Sequence, residues 1–268
     1  MNRALLVGIN NYPGNPLRGC LNDISDMADF LVARCAFAES DIRLLTDRRA
    51  TKQAIVERLD WLLHGLQPGD CVLFHYSGHG AQVPTRNPQG EVDGLDEVIC
   101  PVDFDWTDAT MIRDKDFARY FSVIPAGVEF VWISDSCHSG DLTRGLPQRM
   151  NSRRKCLELP LDLAWRLRTA RALKITPDTL TRSAARLNLA LIAGCRSDQT
   201  SADAVFNKRF NGALTYYLLQ TLKAKDGLKL PLQRVVERTR LALKKGRYEQ
   251  IPQLEGSAKL FNLSFLGR

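Results

Sequence analysis

A histidine and a cysteine stand on short glycine-bearing stretches, each directly behind an apolar run: Tyr76-Ser77-Gly78-His79-Gly80 and Asp135-Ser136-Cys137-His138-Ser139-Gly140. A free thiol titrates near pH ~8.5, so it becomes an effective nucleophile at neutral pH only when an imidazole takes its proton. Such a pair attacks a carbonyl carbon, and the histidine then returns the proton to the leaving amine. Cys137 is the candidate nucleophile and His79 the candidate base. The glycines permit tight turns and leave peptide N–H groups open to a developing oxyanion. His138 is the rival base, but adjacent side chains diverge, so it is expected to face away from Cys137. His75 falls inside an apolar run and reads as a core histidine. His64 carries no signal.

Bringing two such residues together calls for a sheet. The apolar runs 4–9, 71–76, 129–134 and 189–193 are short, rich in β-branched and aromatic residues, and do not alternate with polar ones. They read as strands buried on both faces, as in a parallel sheet. Between them lie helical patterns at 22–33, with Asp23, Asp26 and Asp29 on the wet side and Met27, Phe30 and Leu31 on the dry side, and at 52–66, before Pro68-Gly69. Strand and helix thus alternate as in a doubly wound α/β fold. Ligands of such folds bind beyond the carboxyl ends of the strands, where His79 and Cys137 both fall. The stretch 141–186 interrupts the rhythm with prolines, the triplet Arg153-Arg154-Lys155 and a short amphipathic helix at 162–173. Helices at 212–222 and 232–244 and an extended piece at 259–265 follow.

The 268 residues are 44% hydrophobic and 25% charged, an ordinary globular balance that excludes disorder and coiled coil. No apolar run approaches the ~20 residues of a membrane span, and no cleavable signal follows Met1, so the expectation is a cytoplasmic protein that does not enter the membrane. Seven cysteines without a CxxC pair argue against zinc and disulfide frameworks, and no metal ligands are assigned. The net charge of +7 is concentrated: residues 144–186 hold 11 Lys and Arg against 3 Asp and Glu. A nucleic-acid footprint spreads over a folded face, so this excess reads as a linker and no nucleic-acid partner is expected.

The two boxes resemble those of metacaspases, the caspase-like cysteine peptidases. So do Leu17-Arg18-Gly19-Cys20-Leu21-Asn22-Asp23, Asp93-Gly94-Leu95-Asp96-Glu97 and 194–203, five ordered motifs over nearly the whole chain. The resemblance implies a caspase-like three-layer α/β/α sandwich around a mostly parallel sheet, forming one domain. Within it, 1–145 would be the large-subunit-like region, 146–187 the basic linker and 188–268 the small-subunit-like region. It also implies a cysteine endopeptidase cutting protein or peptide substrates after Arg or Lys. By position Asp23 and Asp135 match the acidic pocket and Ser77 a pocket-lining serine, and paired carboxylates suit a guanidinium or ammonium. The plainer roles are a helix cap for Asp23 and loop hydrogen bonds for Asp135.

No cofactor is expected to be required. The family's calcium site uses adjacent acids near Ile112-Arg113-Asp114-Lys115-Asp116, but here Lys115 replaces one acid and Arg144 stands where another is expected, which removes ligands and adds charge. Asp93, Asp96, Glu97, Asp114, Asp116 and Asp141 form either a different cluster or a solvated rim. The relatives implied are usually monomers. The basic linker offers the enzyme cleavage sites of its own kind, and Arg153-Arg154-Lys155 is the best candidate for self-processing in an exposed connector. The competing readings are a caspase-like pseudoenzyme acting as a binding or scaffold module, and a different cysteine hydrolase or transferase.

Overall fold

Side chains alternate along the first strand, so that Ala4 and Leu6 pack to one face and Leu5 and Val7 to the other, all fully buried. A strand buried on both faces needs a layer on each side. The computed structural model, which describes residues 1–84, 95–138, 152–165, 187–196 and 199–267, supplies both. The central sheet is built from β1 (Asn2–Gly8), β2 (Ile42–Thr46), β3 (Cys71–Ser77), β7 (Glu129–Asp135), β9 (Ala190–Ala193) and β12 (Gln253–Gly256) in the order β12-β9-β7-β3-β1-β2. All neighbours are parallel except β12, which runs antiparallel to β9.

On one face α2 (Lys52–Leu63) and α3 (Asp114–Phe121) cover Leu5, Val7, Phe74, Phe130 and Trp132. On the other, α1 (Cys20–Arg34), α4 (Ala213–Lys223) and α5 (Leu232–Lys245) cover Ala4, Leu6, Leu73, Ile133 and Ile192. The result is the three-layer α/β/α sandwich with a mostly parallel sheet. Two small sheets sit at its carboxyl edge: β4 (Gly80–Pro84), β5 (Leu95–Ile99) and β6 (Ile112–Arg113), and β8 (Arg153–Arg154), β10 (Ala202–Phe206) and β11 (Arg209–Gly212).

The sequence expectations hold for β1, β3, β7, β9 and the main helices, with corrections elsewhere. β2 has no counterpart among them because it is an edge strand with Arg43 and Leu44 exposed, so it lacks a buried apolar run. The extended piece expected at 259–265 is instead α6 (Ala258–Phe261) followed by a short 3-10 turn. The terminal strand is the more polar β12, whose residues are only half buried. Asp23, placed on the wet side of α1, is fully buried, whereas Asp26 is half buried and Asp29 is exposed as expected. Of the helix at 162–173, residues 161–165 are described and helical, and the rest lies outside the described residues. Arg153-Arg154-Lys155 is not an exposed connector: the two arginines pair with β10 and Lys155 is fully buried.

Candidate active site

β3 and β7 are neighbours in register, with Ser77 opposite Asp135. His79 and Cys137 each lie two residues beyond that pair, so the strand ends deliver them to one place. Asp23 enters from the first turns of α1, where Ser77 Oγ donates to its Oδ2 at 2.7 Å. All five residues singled out from sequence are therefore in one buried cluster at the carboxyl edge of the sheet, with no more than 2% of any of them exposed.

His79 is fixed from three directions. Its Nε2 lies 2.7 Å from the carbonyl oxygen of Asn15, which can only accept, so Nε2 carries the proton and Nδ1 is the basic nitrogen. Nδ1 is buried, with no hydrogen-bond partner among the described residues. The ring packs at 4.5 Å on Tyr12, whose hydroxyl accepts from the His79 amide at 3.1 Å, while Tyr76 donates to the His79 carbonyl at 2.7 Å. Burial pulls its pKa down to about 4, against the opposing pull of the Asn15 carbonyl, so the imidazole is neutral. His138 faces away as expected, its Nδ1 3.1 Å from the Val98 carbonyl and its Nε2 3.9 Å from Glu97. His75 is a core residue, fully buried beneath Thr215.

The pocket between Asp23 and Asp135 is occupied by this chain's own Lys155. Its Nζ lies 3.2 Å from Asp23 Oδ2, 3.2 Å from Asp135 Oδ2 and 2.8 Å from Ser77 Oγ. Burial works against the ammonium, yet Asp135 and Asp23 outweigh it and hold Lys155 well above its ordinary pKa. Asp135 is further tied by Ser201 Oγ at 2.7 Å, Thr215 Oγ1 at 2.7 Å and the Thr215 amide at 3.1 Å. Burial alone would raise its pKa, but Lys155 and these donors keep it below the ordinary carboxylate value. Asp23 takes the Gly212 amide at 2.9 Å and Asn211 Nδ2 at 3.0 Å, but burial dominates and raises it to about 6 despite Lys155.

The backbone of Lys155 is held as closely as its side chain. Its carbonyl oxygen accepts from the amides of Cys137 and Gly80, each at 3.1 Å, and its own amide donates to the Ser201 carbonyl at 3.0 Å. Two converging N–H groups on one carbonyl are the arrangement that stabilises an oxyanion during acyl transfer. The Cys137 thiol donates to the Gln199 carbonyl at 2.7 Å. On the upstream side Arg154 and Arg153 run antiparallel to Ala202 and Asp203 of β10. On the downstream side the Leu157 amide donates to the Gly80 carbonyl at 3.0 Å. Lys155 therefore lies across the site at a bend between β8 and the bridge residue Cys156, charged side chain in the acidic pocket and carbonyl against the two amides.

Several of these groups escape sequence reasoning. Asn15 acts through its backbone carbonyl, and Ser201 and Thr215 arrive from distant elements. Gly212 has a legible reason only in three dimensions: a Cβ there would fall 2.1 Å from Asp135 Oδ2 and 2.2 Å from Lys155 Nζ. Asp96, counted among the acids of a cation cluster, is instead ion-paired with Arg113 and, at 2.8 Å, with Lys115. Asp93 and Asp141 lie outside the described residues. Among the described residues no group of three His, Cys, Asp or Glu side chains is arranged to hold a metal ion.

A model of the metacaspase peptidase C14 domain matches residues 2–144. Metacaspase-1 of Meyerozyma guilliermondii is 33% identical over 289 residues, covering 95% of this chain and 69% of its own length. Metacaspase-1B of Neurospora crassa is 34% identical over 98% of this chain and 68% of its own. A protein of Geobacter sulfurreducens of known crystal structure superposes with a TM-score of 0.68 at 26% identity, over 98% of this chain and 97% of that one. The chain spans about two thirds of the length of the fungal relatives. A domain match over more than half its residues and full-length similarity above 30% to curated relatives place the chain in the metacaspase family of cysteine-type peptidases.

Proposed function

We propose that the chain is an endopeptidase that cuts after lysine or arginine, with Cys137 as nucleophile and His79 as proton carrier, and that its first substrate is its own Lys155–Cys156 bond. The observation that carries this reading is the pose of Lys155, whose carbonyl sits on the amides of Cys137 and Gly80 while its ammonium lies between two carboxylates. Bare Nδ1 of His79 takes the thiol proton as Cys137 Sγ attacks the Lys155 carbonyl carbon. The oxyanion is held by the two amides, and the imidazolium gives the proton to the Cys156 nitrogen as the peptide bond breaks. Water then releases the acyl group. On this reading Asp23, Asp135 and Ser77 select the cation, and the pocket is reopened to other proteins when the cut segment leaves.

The cut falls inside the basic linker, between the large-subunit-like region (1–145) and the small-subunit-like region (188–268). The pseudoenzyme alternative draws on the same pose, as a plug that is never removed. Fluorogenic peptides ending in Lys, Arg or Asp separate the readings. We expect turnover after Lys and Arg, none after Asp, and loss by several powers of ten in Cys137→Ala. Turnover after Asp, or a Cys137→Ala variant as active as the parent, contradicts the reading.

A further inference from the structure

Cutting after Lys155 makes a cysteine, Cys156, the first residue of the downstream fragment. As the bond breaks, that residue is still held at the site. Gly80 brackets it, donating to the Lys155 carbonyl at 3.1 Å and accepting from the Leu157 amide at 3.0 Å, and Gly80 and Cys156 form a parallel bridge. Its half-buried thiol donates to the Leu157 carbonyl at 3.5 Å and lies near enough to Cys137 for that thiol to raise its proton affinity. The upstream fragment is held as firmly, by the buried ion pairs of Lys155 and the pairing of β8 with β10. Until the segment leaves, both ends of the broken bond are held beside Cys137, so an attack from Cys156 on the acyl group is intramolecular while water must enter from outside.

We propose that the acyl-enzyme formed at Lys155 is resolved by the aminothiol of an N-terminal cysteine as well as by water, so that the chain is also a peptide ligase for acceptors that begin with cysteine. This rests on the reading that Cys137 attacks Lys155. The steps balance without a further reagent. The Cys156 thiol adds to the Lys155 thioester, its C–S bond forms as the bond to Cys137 breaks, and its proton passes by way of His79 to the Cys137 sulfur. The α-amine of Cys156 then closes on the same carbonyl through a five-membered ring. The C–N bond forms, the C–S bond breaks and the amine proton goes to the Cys156 sulfur, restoring the peptide. A serine in this place has no comparable nucleophile, since its hydroxyl stays protonated. In the intact chain the contact with Cys137 and burial push the Cys156 thiol up in pKa, which keeps it protonated and leaves the attack to Cys137.

The full chain, its Cys137→Ala variant and its Cys156→Ser variant, each under a phosphine reductant, are incubated with the peptide Cys-Leu-Glu-Leu-amide or Ser-Leu-Glu-Leu-amide at millimolar concentration, and intact masses are read. The expected product is fragment 1–155 extended by the cysteine peptide, roughly tenfold or more above that extended by the serine peptide, and absent from Cys137→Ala. If religation holds the parent chain whole, the same product appears in Cys156→Ser. Fragment 1–155 ending only in a carboxylate, or capturing both peptides equally, overturns the ligase and leaves the cleavage reading standing. A chain that breaks after position 155 in no variant overturns both.

Discussion

Asp135 and Asp23 face one ammonium at equal distances, yet the fold treats them differently. Asp135 receives three donors from Ser201 and Thr215 and stays ionised, whereas burial lifts Asp23 to about 6. Both carboxylates are therefore ionised at neutral pH, and on acidification Asp23 loses its charge first while Asp135 keeps its own. Asp135→Asn is expected to lower kcat/KM on lysine peptides by roughly 100-fold or more, since removing one partner of a buried ion pair costs about 3 kcal/mol or more. A loss under about threefold contradicts this.

His75, on the neighbouring strand β3, supplies a pH test. Burial lowers its pKa from an ordinary 6.5 to about 3, so between those values the unfolded chain binds more protons than the folded one. Stability from this group is complete above about 6.5 and falls as pH drops through that window, by on the order of 2 kcal/mol at pH 5. His75→Gln is expected to lose less Tm than the parent between pH 7 and pH 5, and equal losses would count against it. At this scale the meeting of Cys137, His79, Asp23, Asp135 and Ser77 at one place is legible in the motifs that carry them. Some of the groups that hold them are not: the Asn15 carbonyl leaves no mark on residue type, whereas the Gly80 amide belongs to a glycine of the histidine box.

At the scale of elements, the junction of β11 and α4 forms the pocket floor. A Cβ at Gly212 collides with both Asp135 and Lys155, so Gly212→Ala is expected to reduce lysine-peptide cleavage at least tenfold through KM. An unchanged KM would show the floor to be elsewhere. The β5–β6 edge and the start of α3 carry the second prediction. Asp96 there is neutralised by Arg113 and Lys115, cations where a calcium site needs acids. Activity in chelator is expected to match activity in millimolar calcium, and a saturable calcium requirement would contradict that. The buried strands β1, β3, β7 and β9 could be read from their apolar runs, because both faces are covered. β2 and β12 could not, since edge strands are polar and half exposed, and their pairing depends on partners distant in sequence.

For the whole molecule, a parallel sheet flanked by helices sets the site at its carboxyl edge, and a segment from the charge-rich linker closes it. The sequence located that segment by its composition and its triplet of basic residues. It did not locate the burial of Lys155, because nothing local distinguishes a solvated lysine from one that pairs with two acids, one of them 132 residues away in the chain. The central claim is that this segment is held as a substrate, and the intact mass of the protein after incubation tests it most directly. Under reducing conditions, without added peptide, we predict that Cys156→Ser, in which an aminothiol cannot reseal the bond, separates into fragments 1–155 and 156–268. The same chain carrying Cys137→Ala or Lys155→Met in addition is predicted to stay whole. A Cys156→Ser chain that remains intact while hydrolysing lysine peptides, or one that is cut equally after Lys155→Met, would contradict the account.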